Sequence, residues 1–105
     1  MTKKLSKRDI TKYRKTIGSA WDMSDENTAL VCTFTFKHFI EAFMFVTRVS
    51  IHAEVMKQYP EILLHHCVVS LTLGRADQEM LTADNFELAK KIDVIFALST
   101  SQRRS

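Results

Sequence analysis

Residues 28–60 read TALVCTFTFKHFIEAFMFVTRVSIHAEVMKQYP, and a change of period inside this stretch sets the architecture. From Ala29 to Phe36 the period is two: Leu30, Cys32, Phe34 and Phe36 alternate with Ala29, Val31, Thr33 and Thr35. Successive side chains of a strand point to opposite faces, so this is a strand with one strongly apolar face. From Lys37 onward the period lengthens. Phe39, Ala42, Phe43, Val46, Val49, Ala53 and Met56 keep the spacing of one helical face, and Pro60 closes the run. Ile40, Met44, Ile51 and Val55 carry apolar surface well past that stripe. A helix so apolar in a small protein covers its own sheet on one side and has large residues left over on the other. The leftover face, Ile40, Met44, Thr47, Ile51 and Val55, is expected to mediate self-association or to bind a partner.

The flanking segments complete the pattern. In SKRDITKYRKTIGSAW, residues 6–21, Ser6 stands three residues before Asp9 as a helix cap. Ile10, Tyr13, Ile17 and Ala20 then share a helical face, with Gly18 as a stop. DMSDEN, residues 22–27, reads as a turn. EILLHHCVVSLTL, residues 61–73, is β-rich: either one long strand or a tight hairpin bending between His65 and Val68. GRADQEM is a polar loop, and LTADNFELAKKIDVIFAL places Phe86, Ala89, Ile92 and Phe96 on a last helix. This order predicts an α+β fold, with helices laid on one face of an antiparallel sheet. It divides into a basic N-terminal helical arm (1–20), an α+β domain (21–98) and a polar basic tail (99–105).

Composition bounds the function classes. The chain has 105 residues, 46% of them hydrophobic, with two Gly and one Pro, as expected of one ordered globular domain. No apolar run has the length of a membrane span, and the N-terminus has no signal-peptide core, so a soluble cytoplasmic protein is expected. Cys32 and Cys67 are single and flanked by apolar residues, which reads as buried strand thiols. A zinc site needs about four ligands at short spacing, so no metal is expected. The net charge of +3 is unevenly spread. Lys3, Lys4, Lys7, Arg8, Lys12, Arg14 and Lys15 against Asp9 give residues 1–20 a net +6, Arg103 and Arg104 add +2, and residues 21–102 are left at −5. A basic arm of this kind can touch nucleic acid or an acidic protein surface, or form the solvated outer face of a first helix.

Taken together, FTFKHFIEAFMFVTRVSIHAEVMKQYPE (34–61), VVSLTL (68–73) and LTADNFELAKKID (81–93) resemble the pterin-4α-carbinolamine dehydratase family, over about residues 21–97 and without a gap. The resemblance implies an αββαββα subunit with a four-stranded antiparallel sheet that joins a neighbour's across a dimer. Dimers then pair through the long helices, so a homodimer or homotetramer is expected. It also implies dehydration of a 4a-hydroxytetrahydropterin to the quinonoid dihydropterin, with no metal and no cofactor. Neutral histidine suits such proton transfer because its pKa lies near working pH.

The family pattern is Glu-x-x-x-His-His-Pro at the end of the long helix, a later Thr-His pair, and an aspartate opening the last helix. By resemblance its glutamate falls on Glu54 and its proline on Pro60, and both are kept. The paired histidines fall on Gln58 and Tyr59, the Thr-His pair on Arg75 and Ala76, and the aspartate on Asn85. Met80 stands where the family usually has glycine. Glutamine, alanine and asparagine cannot take a proton near neutral pH, and tyrosine titrates around pH 10. No catalytic set is therefore expected.

His65 and His66 follow Glu61 with the family's local spacing, but seven residues too late. In an extended strand they would point to opposite faces, and at a bend they would lie in solvent. They are read as surface or half-buried structural histidines. The expected function is that of a non-catalytic scaffold binding a client protein: an assembly factor or chaperone, as in Rubisco assembly, or a dimerisation cofactor. The alternatives are an active dehydratase using Glu54, Tyr59 or His52, and nucleic-acid contact through the basic arm, which would weaken steeply with salt.

Overall fold

A computed structural model describes residues 5–74 and 81–102, with 100–102 described by their backbone alone. The elements are α1 (Lys7–Arg14), β1 (Asp22–Met23), β2 (Ala29–Thr35), α2 (Phe39–Met56), β3 (Glu61–His65), β4 (Val68–Gly74) and α3 (Ala83–Gln102). All strand pairings are antiparallel, in the order β1-β2-β4-β3. The fold is therefore α+β, three helices with one four-stranded antiparallel sheet, as the residue pattern and the resemblance predict.

The sheet is sided because its residues alternate. Leu30, Cys32 and Phe34 of β2 and Val69, Leu71 and Leu73 of β4 are buried in one core with the helices. On β3, Ile62 and Leu64 pack against that core while Glu61, Leu63 and His65 stay exposed. Above the sheet, Phe34, Phe36, Phe45 and Phe96 meet at centroid distances of 4.9 to 6.0 Å, in tilted and edge-on pairs favoured by aromatic quadrupoles.

α2 buries a different stripe from the one its sequence suggests. Ala42, Phe45, Val49 and Ala53 form its core line, with Val46 and Met56 half-buried, whereas Phe39 and Phe43 are each 50% exposed. Alanines at 42 and 53 let the helix approach the sheet closely, and Phe45 fills the space beside them. Phe39 and Phe43 are thereby turned to the flank, where their rings pair at 6.0 Å.

Two further expectations are corrected. α1 ends at Arg14, not near Gly18, and the guanidinium of Arg14 donates to the carbonyls of Gly18, Ser19 and Trp21 in the irregular segment that follows. Residues 22–27 are not all turn, because Asp22 and Met23 pair with Val31 and Leu30 as a short edge strand.

β3 and β4 form the hairpin alternative of the β-rich segment, with His66 and Cys67 as its loop. His66 takes φ +56°, the left-handed conformation that a two-residue hairpin asks of its first loop residue. Gly74 closes β4 at φ +77°, where an added Cβ would collide with the carbonyl oxygen of Thr28. Among the described residues no helix is long and apolar enough to cross a membrane.

Candidate functional site

The positions singled out at the end of α2 and the start of α3 come together in space. α2 stops because Lys57 adopts a left-handed conformation (φ 59°, ψ 35°) and the Gln58 N–H turns back to the carbonyl of Ala53 at 3.0 Å. This is a Schellman-type stop, normally made with glycine, and Pro60 follows it. The reversal brings Gln58 to the first turn of α3. There Asn85 Nδ2 donates to Gln58 Oε1 at 2.8 Å.

Asn85 is 8% exposed, and its carboxamide is used at both ends. Its Oδ1 accepts from the Thr82 backbone N–H at 2.9 Å and from the Thr82 hydroxyl at 3.1 Å. Thr82 and Asn85 thus reproduce a capping box, satisfying donors that the helix start would otherwise leave unpaired. An aspartate here could accept the same Thr82 bonds but, ionised, could not donate to Gln58. The two amides make a neutral clasp between the end of α2 and the start of α3, with no group able to exchange a proton near neutral pH.

The other positions are peripheral to this clasp. Tyr59 is 70% exposed, and its hydroxyl lies 3.4 Å from Glu54 Oε2, a long contact between two surface groups. His52 is half-buried on α2. Arg75, Ala76 and Met80 lie outside the described residues. His65 and His66 are exposed at the far end of β3, ~13 Å of strand beyond Glu61. His66 Nδ1 lies 3.3 Å from Cys67 Sγ within the hairpin loop. The histidine pair therefore does not join the site. Among the described residues no group of three or more His, Cys, Asp or Glu side chains could hold a metal ion.

Asp93 escaped notice in the sequence. Its Oδ2 accepts from the Gly18 N–H and its Oδ1 from Trp21 Nε1, both at 2.8 Å, pinning the segment between α1 and β1 to α3. Only its place in the LAKKID run set it apart, and a carboxylate on a helix does not announce its partners. The Gln58–Asn85 bond was also missed. Both positions map by resemblance to one site, and complementary amides there were the available signal.

The outward face of α2 carries Ile40, Met44, Thr47, Ile51 and Val55, all exposed and opposite the core line. On α1, Lys7, Arg8 and Lys12 are exposed, as is Lys15 just beyond it, while Arg14 is engaged with backbone carbonyls. Lys3 and Lys4 lie outside the described residues.

Residues 3–95 match the family model described as pterin 4 alpha carbinolamine dehydratase. Similar proteins, each provisionally named pterin-4-alpha-carbinolamine dehydratase, occur in bacteria and archaea. One from Mesorhizobium japonicum is 36% identical over 93 residues, covering 89% of this chain and 94% of its own. One from Sulfolobus acidocaldarius is 34% identical over 89 residues, covering 85% and 98%. Among solved structures, a transcriptional coactivator/pterin dehydratase from Brucella melitensis superposes with a TM-score of 0.79 at 23% identity, covering 90% of this chain and 99% of that one. A pterin dehydratase-like protein identified as a RuBisCO assembly factor in the alpha-carboxysome gives 0.62 at 19% identity, covering 74% and 94%. These two likenesses are of fold.

Proposed function

The chain belongs to the pterin-4α-carbinolamine dehydratase family, and from that premise we propose that it is a non-catalytic member, a scaffold that works by binding other proteins. The observation that carries this reading is the Gln58–Asn85 clasp. Two of the positions where the family places titrating groups hold amides that satisfy each other. A third, Tyr59, is a surface phenol, and a fourth is Ala76. Loss of one general acid or base costs about 10²–10⁴-fold in rate, and loss of the whole set removes the means of moving the proton.

The apolar outer face of α2 supports a binding role. Ile40, Met44, Thr47, Ile51 and Val55 offer a dry stripe for self-association into a homodimer or homotetramer, or for a client. An assembly factor or dimerisation cofactor fits this combination of a kept core and a changed site. One structural neighbour is named an assembly factor, which points the same way, while the other is named both a coactivator and a pterin dehydratase.

The test is to restore the family's groups together: Gln58→His, Tyr59→His, Ala76→His and Asn85→Asp. The restored chain is expected to gain turnover of 4a-hydroxytetrahydropterin over its parent. A parent already turning over as fast as the restored chain would overturn the reading.

A further inference from the structure

The fully exposed charges of α1 are all basic, and its one acid, Asp9, is half-buried in the first turn. Arg8, Lys12 and Lys15 follow one another at i, i+4 and i+7, which aligns three charges along one side of a helix. Lys7 stands beside Arg8, and exposed Thr11 lies one turn further on. The opposite side is used by the fold. Ile10 is buried, Tyr13 stacks on Phe86 at 5.6 Å, and Arg14 holds the carbonyls of the next segment. Among the described residues none of Lys7, Arg8, Lys12 and Lys15 is in an ion pair, whereas Lys90 of α3 pairs with Glu87. The sign is also opposite to that of the body: residues 1–20 hold seven cations and one anion, residues 21–102 six cations and eleven anions. A rigid single-sign stripe projects a field outward, whereas solubility alone is served by mixed charge.

We propose that this face of α1 docks an acidic helical segment of a partner protein, whose carboxylates repeat at i, i+4 and i+7. The proposal rests on the protein-binding reading above and names the charge and shape of one contact. Other polyanions fit less well. The apolar residues of α1 are committed to the core, which leaves nothing to enter a bilayer. Its tyrosine lies inward on Phe86, so α1 offers no exposed ring on which unpaired bases could stack. With a rise of 1.5 Å per residue α1 is ~12 Å long, a match for about two turns of a partner helix. Exposed pairs are individually weak and salt-sensitive, so three in register change affinity by about tenfold.

The experiment uses a fluorescent, alanine-rich helical peptide with glutamates at i, i+4 and i+7. It is compared with a peptide of the same composition whose glutamates are spread around the helix, and with a DNA duplex of arbitrary sequence. Anisotropy titrations at physiological salt should show the in-register peptide binding about tenfold tighter than the spread one. That preference should vanish in the Arg8→Glu/Lys12→Glu variant and shrink in Arg8→Gln/Lys12→Gln, which keeps the helix formers of α1. Equal binding of the two peptides, or a preference that survives charge reversal, would overturn the proposal. A duplex that binds more tightly than either peptide would reassign the face to nucleic acid. The readout is peptide affinity, so turnover by the parent chain would remove the non-catalytic reading without altering this result.

Discussion

Cys32 and Asn85 show how a side chain's neighbours set its chemistry. Cys32 lies on the inner face of β2, where burial, then the charges of Asp93 and Asp22, push its thiol from the ordinary 9.0 up to about 11. Its burial was readable from strand alternation, because a cysteine between Val31 and Thr33 shares a face with Leu30 and Phe34. A thiol that ionises less readily in the fold than in the unfolded chain stabilises the fold fully below pH 9, and that contribution is lost as the pH climbs through about 11. Denaturant unfolding from pH 8 upward should therefore show the parent losing stability more steeply than Cys32→Ala across that window. Parallel curves would contradict the assignment. Asn85 was less readable. Its identity could be compared with the aspartate expected by resemblance, but its use of both carboxamide ends depends on Thr82 and Gln58, and the latter is 27 residues away.

The ends of α2 decide where the candidate site lies. Its existence followed from a long 3.6-residue pattern closed by Pro60, but its core line did not. Phe39, Phe43 and Phe45 are equally apolar, and only packing against Phe34, Phe36 and Phe96 selects Phe45. Strand β1 is harder still to foresee, because two residues, Asp22 and Met23, carry no periodicity and are strand only through pairing with β2. At the other end of α2, Lys57 holds a left-handed conformation that costs a non-glycine residue about 1 kcal/mol. Lys57→Gly should raise unfolding stability by about that amount in urea titrations without altering far-ultraviolet circular dichroism. A loss of stability would mean that the lysine side chain contributes to the turn in a way its exposed position does not suggest.

Over the described residues, the largest apolar stripe and the cationic stripe lie on different helices. The helices cover one face of the sheet, the outer side of α2 presents an apolar stripe, and the outer side of α1 presents cations. The stripe was legible because Ile40, Met44, Ile51 and Val55 exceed what one core face can absorb. Ile51 is 59% exposed in the single chain, so Ile51→Asp should leave the chain folded. In a dry interface the same charge would be very costly. Light scattering should then give a lower mass for Ile51→Asp than for the parent; an unchanged mass would place association elsewhere. By resemblance the family's titrating groups fall on Gln58, Tyr59, Ala76 and Asn85, but the sequence did not reveal that Gln58 and Asn85 bond to each other. Whether that exchange ends the chemistry is settled by measuring 4a-hydroxytetrahydropterin dehydration at high protein concentration beside an active relative. The clasp of Gln58 and Asn85 predicts no rate above the uncatalysed background, and turnover near the relative's level would contradict it.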